Sequence, residues 1–176
     1  MAGDRQLMLL RHAKSAWPDG VADLERPLAP RGRRDAPATG GWLRASGYAP
    51  SLVLCSIARR TRETWELAQQ ALGTSPPVSY EPQVYGATSA ELLALARQTA
   101  PDIGSVLIVG HDPGVQRLAL DLAGQESPAL ASVRAKFPTA AIAILAFSGS
   151  WPDLEPGEAR LEDFIRPRDL RLDEKD

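Results

Sequence analysis

The sequence predicts a single α/β domain of three layers, with a mostly parallel central sheet flanked by helices. Short apolar runs alternate with stretches of helical spacing, and a length of 176 residues fits one domain with a sizeable core. Four runs, residues 7–10, 52–55, 106–109 and 140–147, are too short for free-standing helices and read as buried strands. The first three are followed directly by polar or glycine-rich residues, the pattern of strands that stop at a loop.

Each element can be justified in chain order. After the first strand, residues 31–45 place Ala36, Trp42 and Leu43 among polar neighbours at helical spacing. The second strand leads into residues 60–72, where Trp65, Leu67, Ala68 and Leu72 mark an apolar face, and residues 89–100 repeat the pattern with Leu92, Leu93, Leu95 and Ala96. Thr88 and Glu91 stand at capping-box spacing ahead of that third helix. The strand at 106–109 runs into a Gly110-His111 turn, and Asp112-Pro113 predicts a further helix with Asp112 as cap and proline in its first turn. A late strand is expected over 159–165, with Leu161, Asp163 and Ile165 alternating. The domain is expected to span residues 1–166, with 167–176 a charged, irregular C-terminal tail.

Composition narrows the function. Hydrophobic residues make up 44% and charged residues 24%, and a formal net charge of −2 offers no electrostatic case for nucleic acid or an anionic membrane as partner. No run of about 20 apolar residues predicts a membrane span, and Arg5 and Arg11 bracket too short a run for a secretory signal, so a cytoplasmic location is expected. Cys55, the sole cysteine, lies in an apolar run and reads as a small buried hydrophobe. Trp17, Trp42, Trp65 and Trp151 read as core or rim packing, with an aromatic binding surface as the other reading.

The chemistry concentrates at three strand ends. Both histidines of the chain, His12 and His111, follow apolar runs, and ligands of open α/β sheets bind outside the carboxyl ends of the strands. The second run leads into Ser56-Ile57-Ala58-Arg59-Arg60-Thr61-Arg62-Glu63-Thr64. An arginine suits a phosphoryl group, because its planar fork makes two parallel charge-assisted bonds and stays charged at physiological pH. Position favours Arg60 for that task, whereas Arg62 reads as a solvated helix residue.

These segments resemble the histidine phosphatase superfamily, also called the phosphoglycerate-mutase-like fold, and most closely its SixA-type phosphohistidine phosphatases. Arg11-His12-Ala13-Lys14-Ser15 stands where the family has Arg-His-Gly, with alanine replacing glycine. Asp23-Leu24-Glu25-Arg26-Pro27-Leu28, followed by Arg31-Gly32, resembles the elements that lead into the family's first helix. Ser56 to Thr64 is similar to Ser-x-x-x-Arg-Ala-x-Gln-Thr, with Thr61 and Glu63 departing from it, and Gly110-His111 matches the second histidine.

The resemblance implies a phosphatase that needs no metal or other cofactor. His12 would attack phosphorus and carry the phosphoryl group, while Arg11, Arg60 and His111 would surround it. Lys14 and Ser15 would border the pocket as donors. Glu81 is the nearest carboxylate for a leaving-group acid, although its spacing to Gly86 does not match the family position. A weak or missing acid favours phosphohistidine over alkyl phosphates, since an alkoxide is a poor leaving group. Few insertions imply an open site, so the expected substrate is a phosphohistidine-containing protein. A small-molecule phosphomonoesterase acting on a sugar phosphate or nucleotide, and a silent phosphate-binding module, are the alternatives; two histidines are too few for a convincing zinc hydrolase.

Overall fold

A computed structural model describes residues 3–173. Six strands form one sheet: β1 (Arg5–Arg11), β2 (Leu52–Ser56), β3 (Val78–Glu81), β4 (Ser105–Gly110), β5 (Ile142–Phe147) and β6 (Arg160–Ile165). Their spatial order is β3-β2-β4-β1-β5-β6. The pairs β2–β3, β2–β4 and β1–β4 are parallel, while β5 runs antiparallel to both β1 and β6. The helices are α1 (Pro30–Ser46), α2 (Arg59–Leu72), α3 (Ser89–Arg97), α4 (Gly114–Leu122), α5 (Pro128–Ala135) and α6 (Pro167–Asp173).

The three layers follow from the two-residue period of a strand. Leu7 and Leu9 of β1, with Val106 and Ile108 of β4, point to a core closed by Leu92 and Leu95 of α3, Leu118 and Leu122 of α4, and Val133 of α5. Met8, Leu10, Leu107 and Val109 point the other way, against Leu43 of α1 and Trp65, Ala68 and Leu72 of α2. The central strands are thus apolar on both faces, as their unbroken runs indicate. Each large side chain taken from water contributes roughly 1.5–3 kcal/mol. Cys55, Trp65 and Trp151 lie in these cores, and burial pushes the Cys55 thiol up to about 12.

The helices α1 and α2 pack backbone to backbone at Gly40, where an added Cβ would sit 2.0 Å from the Ala68 carbonyl oxygen. Any larger residue would force the two helices apart. The α3 start carries the capping box expected there: Thr88 accepts the Glu91 N–H, and Glu91 accepts the Thr88 N–H. Among the described residues no helix is long and apolar enough to cross a membrane.

Several sequence expectations require correction. Asp112 does not cap α4; the helix begins at Gly114 after a cis Asp112-Pro113 bond, and the His111 carbonyl receives the Val115 N–H. Asp112 instead faces Arg11 at 3.8 Å. The expected irregular tail is helical over Pro167–Asp173, because Asp169 accepts from the Arg166 N–H and guanidinium while Arg171 reaches back to Asp35 on α1. The rest of that tail, 174–176, lies outside the described residues. Strand β5 starts at Ile142, since Ala140 takes a left-handed φ of 61°. Strand β3 and helix α5 had no expectation, and Glu81 ends β3.

Candidate active site

The cleft lies at the carboxyl edge of the parallel strands and is lined by Arg11, His12, Lys14, Ser15, Arg60 and His111 with four further residues; its volume is about 220 Å³. Strand β1 delivers Arg11 and then His12, whose backbone N–H bonds the Gly110 carbonyl of β4 at 3.0 Å. The Ala140 N–H donates to the carbonyls of both Arg11 and His12 at 3.1 Å, a bond pair that its left-handed backbone makes available. A non-glycine residue with positive φ is held there by surrounding bonds. On the far side, the Ala13 N–H donates to Thr64 Oγ1 at 2.9 Å, tying the loop after His12 to α2.

His12 has a defined tautomer. Its Nδ1 lies 2.8 Å from the Ala13 carbonyl oxygen, which can only accept, so Nδ1 carries the proton and Nε2 keeps its lone pair. Burial pushes the His12 ring down to about 3, with the positive charges of Arg60 and Arg11 adding to the effect. A neutral imidazole with one free nitrogen is what attack on phosphorus requires.

His111 is neutral for related reasons. Burial and then Arg60 push it down to about 4. Arg60 Nη2 approaches its Nδ1 at 3.5 Å and can only donate, and its Nε2 lies 2.8 Å from Ser56 Oγ, which receives the ring proton. The His12 and His111 rings stand 5.3 Å apart between centroids.

Arg60, on the first turn of α2 and buried, donates through Nη1 to the Asp23 carbonyl at 2.8 Å and through Nη2 to Asp23 Oδ2 at 3.1 Å. Asp23 also accepts from Tyr85 at 2.5 Å and from Arg26 at 3.0 Å, and the Tyr85 bond, then Arg26 and Arg60, hold its carboxyl well below the usual carboxylate range. Arg26 in turn donates to Ser15 Oγ at 2.5 Å and stacks on the exposed Trp17 ring at 3.2 Å. Trp17, Arg26 and Arg60 on one wall of the cleft are therefore backed by Asp23 and Tyr85 in a charged and aromatic network.

The structure brings Arg11, His12, Arg60 and His111 to one cleft, with Lys14 and Ser15 on its border. Arg11 donates to the Phe137 carbonyl at 2.9 Å, which aims its guanidinium across the mouth. Ser15 is occupied by Arg26, leaving the exposed Lys14 as the freer of the two border residues. Glu81 is not among the lining residues; its carboxylate accepts from Ser79 Oγ at 2.7 Å. Arg59 pairs with Glu63 on the helix surface, and Arg62 faces a hollow with Tyr80 outside the cleft. Among the described residues no three His, Cys, Asp or Glu side chains gather in a metal-holding group.

Sequence reasoning missed Tyr85, Ser56 and Thr64 as members of the site, and treated Asp23 and Arg26 only as pattern elements. The segment containing Asp23 and Arg26 stood out in the sequence, but nothing local indicates that Asp23 would fold across to Arg60, 37 residues away.

A family model of the histidine phosphatase superfamily (branch 1) matches residues 7–85. An uncharacterized Mycobacterium tuberculosis protein is 44% identical over 162 residues, covering 90% of this chain and 100% of its own length. Phosphohistidine phosphatase SixA of Escherichia coli is 29% identical over 143 residues, 78% of this chain and 83% of that protein. Among solved structures, a candidate SixA from Nakamurella multipartitia superposes with a TM-score of 0.83 at 36% identity, covering 94% of this chain and 98% of that one. The protein histidine phosphatase SixA complexed with tungstate gives 0.72 at 26%, covering 94% and 99%.

Proposed function

The chain belongs to the histidine phosphatase superfamily, and from that premise we propose that it is a phosphohydrolase that carries the phosphoryl group on His12 and takes it from phosphohistidine in a protein substrate. The observation that carries this reading is the free Nε2 of His12, left by the Nδ1 bond to Ala13 and faced by Arg11, Arg60 and His111 in one cleft. The tungstate complex of a SixA relative is consistent with a cleft that takes a tetrahedral oxyanion.

In the first step the Nε2 lone pair forms an N–P bond while the bond from phosphorus to the leaving group breaks, and the leaving group takes the electron pair. Arg11 and Arg60 balance the charge on the equatorial oxygens, so the residues at hand supply the electrostatic stabilisation without a metal. In the second step a water oxygen attacks phosphorus, inorganic phosphate leaves, and His12 regains its lone pair.

The leaving group decides the substrate. Asp23, the carboxylate bound to Arg60, is held ionised by Tyr85, Arg26 and Arg60, and Glu81 is turned to Ser79; neither is a ready proton donor, and Asp112, which lines the cleft and whose carboxyl burial pushes up, is engaged by Arg11 at 3.8 Å. An alkoxide needs such a donor, whereas an imidazole leaves with a proton it can acquire on its own ring. Phosphohistidine and phosphoramidate are therefore the favoured substrates. The test compares a phosphohistidine peptide and phosphoramidate with an alkyl phosphate, in excess chelator. Turnover of the N–P compounds should be faster by about a hundredfold or more, the scale of one missing general acid. Preference for the alkyl ester would overturn the substrate assignment.

A further inference from the structure

The catalytic cleft opens sideways into a basic bay. Thr139 borders both the cleft and a neighbouring hollow lined by Arg31, Arg166, Arg168 and Arg171, and Pro138 joins that hollow to another lined by Lys136. The topology accounts for this placement. Strand β6 runs in the same direction as β1, and Ile165 stands level with Ile142 and Leu10 across β5. Arg166 and α6 thus emerge at the edge where Arg11 and His12 leave β1. Helix α1 adds Arg31 from the other side, its start tied to the loop after His12 by the Ala29 N–H bond to the Lys14 carbonyl at 2.8 Å.

Among the described residues the charge in the bay is unbalanced. Of its five cations, three contact two carboxylates. Asp35 is buried and shared by Arg31 at 4.0 Å and Arg171 at 3.1 Å, while Asp169 is held by Arg166 at 2.9 Å. Lys136 and Arg168 are exposed, and the exposed Lys14 lines the cleft. A chain of net charge −2 has no general excess of cations, so this local surplus attracts anions to one place beside the reaction centre.

We propose that the bay docks the acidic flank of the polypeptide that presents phosphohistidine to His12, a step that rests on the phosphohistidine reading above. Charge complementarity of this kind steers encounter and sets orientation, and it weakens with salt. The bay then selects among phosphohistidine proteins by the residues around the modified side chain.

Two phosphohistidine peptides test this, one flanked by glutamates and one by lysines, each read by fluorescence anisotropy for binding and by phosphate release for turnover. The intact protein should bind the glutamate peptide about tenfold more tightly at low salt, the size expected from a few exposed charge pairs. The Lys136→Glu/Arg168→Glu double variant should lose that preference while hydrolysing free phosphoramidate at the unaltered rate, which also shows that it is folded. Equal binding of the two peptides, or a preference that survives in the variant, overturns the proposal even if both peptides are hydrolysed. Preferential binding without hydrolysis leaves the docking surface supported and removes the phosphohistidine activity instead. Displacement of the glutamate peptide by oligodeoxythymidine at lower concentration than by a glutamate-rich peptide would make the bay a nucleic-acid surface and overturn the proposal.

Discussion

Strands β1, β2 and β4 lie side by side and run the same way, and each ends by releasing a reactive segment: Arg11 and His12, Ser56 to Arg60, and Gly110 with His111. Strand β5 lies next to β1 and is just as buried, yet it runs the other way and supplies no lining side chain to the cleft. Its contribution is packing through Ile142, Ala143, Ile144 and Leu145, together with the Ala140 N–H just before it that holds the carbonyls of Arg11 and His12. Direction alone separates the two roles. Parallel strands gather their carboxyl ends, and the loops that follow them, at one edge; a reversed neighbour sends its own end to the opposite edge.

If that separation is correct, damage to the two regions should have opposite signatures. Arg60→Ala removes a guanidinium from the reacting group and should lower kcat by about 100–1,000-fold, comparable to losing one oxyanion donor. Its fold should persist, because Arg26 and Tyr85 still hold Asp23. Steady-state kinetics with circular dichroism checks both halves of that expectation. Ile144→Ala opens a cavity in the core behind β1 and should destabilise by about 2–5 kcal/mol in denaturant unfolding. The folded fraction should turn over at the wild-type rate. A variant in β5 that lost activity without losing stability would erase the distinction.

The smallest expected change is in the titration of the two histidines. Burial pushes His12 down to about 3 and His111 down to about 4, so neither ring should gain a proton between about pH 8 and pH 5. Since these are the only histidines, an NMR titration reads both, and a resonance moving with a midpoint near the ordinary value of about 6.5 would contradict the buried neutral pair. The sign of the stability effect follows. Below about 6.5 the unfolded chain binds protons that the folded chain refuses, so stability should decline as pH falls through that value toward the folded titrations.

The parts legible in the sequence were those set by local pattern. Unbroken apolar runs marked the central strands, and the residues after them marked Arg11, His12, Arg60 and His111 as neighbours at one sheet edge. Contacts made by chain folding were not legible in the same way. Asp23 reaches Arg60 only because the segment 23–25 crosses in front of α2, and Arg171 reaches Asp35 only once α6 has docked on α1. Asp112-Pro113 shows the opposite failure: a good local cap signal lost to tertiary context, because the His111 carbonyl receives the α4 N–H and Asp112 turns to Arg11. Short β3 carries too little apolar pattern to stand out, with Tyr80 exposed and Glu81 at its end.

The central claim is that His12 carries the phosphoryl group. Its most direct test is acid quenching and alkaline quenching of the enzyme during turnover of 32P-labelled phosphoramidate. The expected result is a covalent label that survives alkali, is lost in acid, and is absent from His12→Ala. An acid-stable label, or labelling and turnover that persist in His12→Ala, would contradict it.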